Sequence, residues 1–311
     1  MTKFAMVFPG QGSQAVGMLK DLADDFPIVK STFDEASEVL GYNLWDLVQQ
    51  GPTEELNKTW QTQPALLASS VAIFKVWQSV NGVQPDFMAG HSLGEYSALV
   101  CAGVIDFKDA IKLVELRGKL MQEAVPSGTG AMYAIIGLDN DSIRNACDQA
   151  AQGQVVAPVN FNSPGQVVIA GNKEAVERAG ILCKEAGAKR ALPLAVSVPS
   201  HCALMKPAAD KLAVALNNIE FSAPKFAVIN NVDVKVETSA EKIKAALIAQ
   251  LYSPVRWTET VENMAKQDVK LLVEMGPGKV LTGLTKRIVD TLSGIAVNDK
   301  ASLETALENT K

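Results

Sequence analysis

Only two histidines and four cysteines occur in the 311 residues of this chain, so few side chains are available for metal or redox chemistry. The cysteines, Cys101, Cys147, Cys183 and Cys202, are scattered and form no CxxC pair. No metal site is read from them, and reduced, partly buried thiols in a cytoplasmic protein are expected. No apolar stretch approaches the roughly 20 residues needed to span a bilayer, so no membrane association is expected. The opening MTKFAMVFPG carries one lysine and a short apolar run stopped by Pro9-Gly10, which reads as a first strand and not as a signal peptide. There is no G-x-x-x-x-G-K-[ST] phosphate loop, internal repeat or low-complexity tract. No long run of Lys or Arg offsets the net charge of −5, which argues against a nucleic-acid partner.

What is present is an apolar fraction of 48% with 20% charged residues, the profile of a globular protein of one or two domains. Residues 3–8 (KFAMVF) read as a buried strand and 64–80 as a helix buried on nearly all sides. A short strand at 86–89 leads into Gly90, and a helix of small residues follows at 95–102. Strand, tight turn and helix in that order predict an α/β core with a mainly parallel sheet. Between about Gly128 and Ser197 the order becomes βαββαβ, the split βαβ or ferredoxin-like unit. The expected division is therefore a discontinuous α/β catalytic domain, 1–126 and 198–311, with a ferredoxin-like inserted domain at 127–197. A helix from 204, a strand at 226–230, a helix at 240–251 and a strand at 270–274 resume the first rhythm. A last helix is expected to about Leu292, and the final ten polar residues are expected to fray.

Gly90-His91-Ser92-Leu93-Gly94 matches G-x-S-x-G between a strand and a helix, the context of a nucleophile elbow. The flanking glycines let a strained turn pass close to its neighbours, and Ser92 is read as a covalent nucleophile. The Leu93 amide at the helix N-terminus can stabilise an oxyanion. The plainer alternative is a glycine turn in which Ser92 only caps the helix. A serine needs a base. His91 neighbours Ser92 on a sharp turn and points elsewhere, so His201 is the base by elimination. No Asp or Glu near His201 is singled out as a third member of a triad. Arg117 falls on the apolar stripe of a helix at 107–124, where a guanidinium needs a partner. The partner is either an internal acid such as Glu95 or a substrate carboxylate held in bidentate fashion. The loop Gly10–Ala15 matches G-x-G-x-x-A, but the acids about 20 residues on, Asp34 and Glu35, lie in a helical stretch at 28–40 and not at the end of a second strand, as a dinucleotide site requires. Its better use is to supply the Gln11 amide as a second oxyanion donor.

VFPGQGSQ at 7–14, GHSLGE at 90–95, Arg117, Ser200-His201 and EMGPGKVLTGL at 274–284 occur in that order over almost the whole chain. Together they resemble the bacterial malonyl-CoA:acyl carrier protein transacylases, the stand-alone malonyltransferases of type II fatty-acid synthesis. They are also similar to the acyltransferase domains of fatty-acid and polyketide synthases. The resemblance implies an α/β-hydrolase-like core with a ferredoxin-like insert. It implies Ser92 as nucleophile, His201 as base, the Gln11 and Leu93 amides as oxyanion hole and Arg117 as the malonyl carboxylate receptor. It also implies that a main-chain carbonyl, at Gln250, orients the histidine, and that Asn160 and Asn162 line the site. Malonyl-CoA and acyl carrier protein would be the partners. No metal or redox cofactor would be needed. The four residues ending at the histidine, Val198-Pro199-Ser200-His201, depart from the His-Ala-Phe-His often found in malonyl-specific synthase domains. Lys189-Arg190 and Lys286-Arg287 are candidates for a basic rim that meets the acidic carrier. The oligomeric state stays open, and a monomer is compatible with the sequence. The rival readings are a serine hydrolase with water as acceptor and a non-catalytic binding module built on Gly10–Ala15.

Overall fold

The computed structural model describes residues 2–196 and 198–311; Met1 and Ser197, the latter being the expected end of the insert, lie outside the described residues. Nine strands are described. They are β1 (Phe4–Phe8), β2 (Phe87–Gly90), β3 (Gly130–Ile136), β4 (Val156–Ser163) and β5 (Gln166–Asn172), then β6 (Arg190–Pro193), β7 (Ala227–Ile229), β8 (Leu271–Met275) and β9 (Ser293–Val297). Five of them form a parallel sheet in the order β7-β2-β1-β8-β9. Every residue of β1 and β8 is buried, as expected of central parallel strands covered on both faces. Alternation along β1 divides two cores. Phe4, Met6 and Phe8 pack on one side with Met88, Val273 and the helix Thr59–Ser79. Ala5 and Val7 pack on the other with Ala89, Leu272, Trp257 and Val261.

The other four strands pair antiparallel in the order β4-β5-β3-β6. The helices Asn140–Ala151 and Lys173–Glu185 cover one face with Ile143, Cys147, Val176 and Cys183, over Ile135, Val167 and Ile169 of the sheet. This is the βαββαβ arrangement. Its second face carries Met132, Val159, Val168 and Ala170 and packs against Cys202, next to His201. The segment before the helix Trp257–Lys266 ties this sheet to the core, since Phe161 N–H donates to the Val255 carbonyl at 3.0 Å and Val255 N–H to the Val159 carbonyl at 2.8 Å. The molecule is thus an α/β fold with an α/β-hydrolase-like parallel core and a ferredoxin-like unit seated over one end of it.

The C-terminal expectations need correction. The helix expected to reach Leu292 ends at Ile288, and an edge strand, β9, follows it. Its sequence SGIAV is short and half-buried, with too little apolar patterning to announce a strand. The final residues do not fray: 300–309 form a helix whose Asp299 caps it in a reciprocal box with Ser302. Leu303, Ala306 and Thr310 are buried beneath its polar face. The last strand of the small sheet, β6, is confined to Arg190–Pro193, although Leu194 N–H still donates to the Met132 carbonyl at 2.9 Å. The motif EMGPGKVLTGL also finds its structural reason. Glu274 is fully buried and accepts from the N–H groups of Leu281 (3.1 Å) and Thr282 (2.7 Å), at the positive end of the helix Val280–Ile288.

Candidate active site

The end of β2 runs into the helix Leu93–Cys101 through two residues, His91 and Ser92, the second held at φ 51°, ψ −108°. A serine in that region is strained, and the surrounding packing must impose it. The packing is tight enough to do so. A Cβ on Gly90 would lie 1.9 Å from the Gly94 carbonyl carbon, and one on Gly94 would lie 2.0 Å from the Phe8 carbonyl oxygen. The side chain of Asn231, just beyond β7, clamps the turn. Its Oδ1 accepts from Ser92 N–H at 2.8 Å and its Nδ2 donates to the Gly90 carbonyl at 2.6 Å.

His201 reaches the same place from the segment that follows the small sheet. It is 3% exposed, its backbone has φ 64°, and its Nε2 lies 2.8 Å from Ser92 Oγ. Its Nδ1 lies 2.7 Å from the Gln250 main-chain oxygen. A carbonyl only accepts, so Nδ1 carries the proton and Nε2 presents its lone pair to the serine. Burial, reinforced by the charge of Arg117, pushes His201 down to about 3. Burial also lowers His91. Its Nε2 meets Asn162 Oδ1 of β4 at 2.8 Å, tying the elbow to the small sheet.

Arg117 is 1% exposed on the helix Phe107–Glu123. Its Nη1 donates to Gln63 Oε1 at 2.8 Å; its Nη2 donates to Gln250 Oε1 at 2.9 Å and to Ser92 Oγ at 3.2 Å. Its Nε–H is buried and unpaired, and the Tyr96 ring centroid lies 5.3 Å from Cζ. The internal partner weighed from sequence, Glu95, makes no direct bond to it; Glu95 accepts instead from Gln250 Nε2 at 2.8 Å and from Asn231 N–H at 3.0 Å. Burial raises Glu95 to about 7, against the pull of those bonds and of the Arg117 charge.

Gln11, Ser92, Leu93, Arg117, Asn160 and His201 line one cavity of about 100 Å³. Gln250 and Asn162 stand behind its wall and hold His201 and His91. A larger cleft of about 490 Å³, lined by Phe74, Phe107, Lys75 and Lys225, contains none of the residues singled out above. Leu93 opens its helix, so its N–H is one of the unpaired amides at the positive end. Two residues of the site escape the sequence reading. Gln63 precedes the helix expected from Pro64, but the helix begins at Thr59 and places Gln63 inside. Asn231 follows the short apolar run of β7, at the carboxyl end of a parallel strand. That is where α/β sheets gather their ligand groups, and this signal could have found it.

The arrangement sets a histidine nitrogen and a guanidinium within hydrogen-bond distance of one serine oxygen. Comparison with known proteins gives it a family. A model described as the acyl transferase domain matches residues 5–305. The chain is also 72% identical to the malonyl CoA-acyl carrier protein transacylase of Haemophilus influenzae over 99% of both chains. The chain belongs to the malonyl CoA-acyl carrier protein transacylase family. Two solved structures agree with this transacylase assignment. One is a malonyl-transacylase in complex with a type II polyketide synthase acyl-carrier protein, 77% identical, with a TM-score of 0.98 over 99% of this chain and 100% of that one. The other is the acyl carrier protein S-malonyltransferase of Vibrio cholerae, 74% identical, with a TM-score of 0.97 over 98% of this chain and 100% of that one.

Proposed function

We propose that this chain moves a malonyl group from malonyl-CoA to the phosphopantetheine thiol of acyl carrier protein through a malonyl ester on Ser92, supplying fatty-acid synthesis. His201 Nε2 takes the Ser92 proton as Oγ attacks the thioester carbonyl. The negative charge on the carbonyl oxygen is met by the Gln11 and Leu93 amides, a donor pair of which each member is typically worth on the order of 10²–10³ in rate. The C–S bond breaks, and the proton on His201 passes to the departing CoA thiolate. The carrier thiol then gives its proton to His201, attacks the ester carbonyl, and Ser92 Oγ leaves with that proton. Every proton and electron pair is accounted for by chain and substrates, so the chemistry calls on no metal or redox cofactor.

One observation carries the malonyl reading. Arg117 lies 3.2 Å from the nucleophilic oxygen, donates to neutral side chains, and keeps a buried unpaired Nε–H. A carboxylate two bonds beyond the reacting carbonyl would give this guanidinium an anionic partner where the chain supplies none at bonding distance. The division at 126 and 198 is part of the same proposal, with the insert of 127–197 acting as the roof of the cavity. So are the exposed Lys189-Arg190 and Lys286-Arg287 as a docking rim, and a cytoplasmic place of work. Among the described residues, no helix is long and apolar enough to cross a membrane.

Intact-mass measurement after mixing with malonyl-CoA or acetyl-CoA tests the proposal. A malonyl adduct is expected that Ser92→Ala abolishes. Arg117→Ala should lose malonyl loading while acetyl loading rises relative to it. Equal loading of the two acyl groups by the unmodified protein would remove the carboxylate role of Arg117. Release of free malonate with no labelling of a carrier protein would make the chain a hydrolase instead.

A further inference from the structure

Glu95 is the only acid on the helix Leu93–Cys101, and it is turned inward, 2% exposed. A carboxylate in such a place has to be held by donors. Its Oε2 has two, Gln250 Nε2 at 2.8 Å and the Asn231 main-chain N–H at 3.0 Å. Neither donor is idle elsewhere. Gln250 Oε1 accepts from Arg117 Nη2 at 2.9 Å, and Asn231 Oδ1 accepts from the Ser92 amide at 2.8 Å.

A primary amide has one donating end and one accepting end. A carboxylate can only accept and a guanidinium can only donate. With Gln250 lying between Glu95 and Arg117, one amide orientation satisfies both neighbours. The inverted one sets NH₂ against guanidinium and oxygen against carboxylate. Without an acceptor at position 95, that choice would rest on weaker contacts of Gln250 Nε2, the Ser92 carbonyl at 3.1 Å and Asn231 Oδ1 at 3.3 Å.

We propose that Glu95 is a positioning residue for acyl selectivity: its carboxylate fixes the Gln250 amide, whose oxygen then holds the Nη2 end of Arg117 beside Ser92. This rests on the reading of Arg117 as the receptor of the acyl carboxylate. It assigns the Gln250 side chain a task separate from that of its main-chain oxygen on His201. Loss of Glu95 therefore disturbs Arg117 and leaves the base in place.

The test is single-turnover loading of Ser92 from malonyl-CoA and from acetyl-CoA, followed by intact mass across pH. Above pH 7, where Glu95 is ionised, Glu95→Ala should lower the malonyl-to-acetyl rate ratio about tenfold, the worth of one hydrogen bond to a charged group, with an unchanged pH dependence of acetyl loading. Glu95→Gln, whose carbonyl can accept from both donors, should recover the ratio to within about threefold of wild type. Gln250→Met should lower the ratio as Glu95→Ala does, and the double variant should be no worse than Gln250→Met alone. A wild-type ratio in folded Glu95→Ala, or an additive loss in the double variant, would overturn the proposal. If Glu95→Ala does not fold, an unchanged ratio in Gln250→Met overturns it. The Arg117→Ala result separates the two levels: a ratio that falls there but not in these variants removes the role of Glu95 alone.

Discussion

Burial shifts Glu95 and His201 in opposite senses, and the two shifts meet in one pH window. The folded protein holds Glu95 at about 7 against an ordinary 4.5, so between those values the native state keeps a proton that the unfolded chain has released. That contribution makes stability fall as pH rises. His201 is held at about 3 against an ordinary 6.5, so between those values the unfolded chain takes up a proton that the native state refuses. That contribution makes stability rise with pH. From pH 4.5 to 6.5 the two slopes, each up to about 1.4 kcal/mol per pH unit, oppose one another. Removing either residue should expose the other. Relative to wild type, the stability of Glu95→Gln should climb with pH across this window and that of His201→Gln should decline. Urea unfolding midpoints at half-unit pH steps read this directly, and curves parallel to wild type for both variants would contradict it.

Among the elements, the helix Lys300–Asn309 shows best what local patterning hides. Its polar composition suggests fraying, yet the Asp299–Ser302 box fixes its start and Leu303 and Ala306 seat it on the core. Asp299→Ala should cost about 1 kcal/mol, the usual worth of an N-cap. It would appear as a lowered Tm with unaltered loading of Ser92, since the helix touches nothing in the cavity. The strands and helices of the interior were legible because periodicity and turn residues agree there: Phe4–Phe8, Phe107–Glu123 and the βαββαβ order all follow from apolar spacing and from glycine. Strand β9 and the helix Trp257–Lys266 were not, for each is short and leans on neighbours that only the fold supplies. The site divides in the same way. Ser92, His201 and Arg117 stand out by residue type and phase. Gln63, Asn231 and the tie from His91 to Asn162 join residues 54, 139 and 71 positions apart, and such pairings exist only once the chain has folded.

At the scale of the whole molecule, the cavity lies where the parallel sheet meets the second face of the small sheet. The basic pairs stand exposed on the ferredoxin-like unit and on the helix Val280–Ile288. Arg287 links that helix to the small sheet, donating to Gln166 Oε1 of β5 at 3.1 Å. An acidic carrier approaching this seam would meet charge of opposite sign from both units. Rim charges act mainly on encounter, so reversing Lys286 and Arg287 to Glu should raise the KM for carrier protein and flatten its dependence on salt. Transfer rates at 20 and 200 mM salt check this. Equal KM values for both proteins would place docking elsewhere.

The size of that cavity has a consequence for time. About 100 Å³ in front of Ser92 leaves room for only a few waters, and an acyl group on the serine would occupy that room itself. Hydrolysis then has to wait for a vacancy, whereas a thiol on the end of a long flexible arm needs only a narrow opening. On the proposed mechanism the acylated serine would be a storage state with its own shelf life. It can outlast the departure of one visitor and the arrival of the next, and the acyl group's fate is decided by which caller the doorway admits.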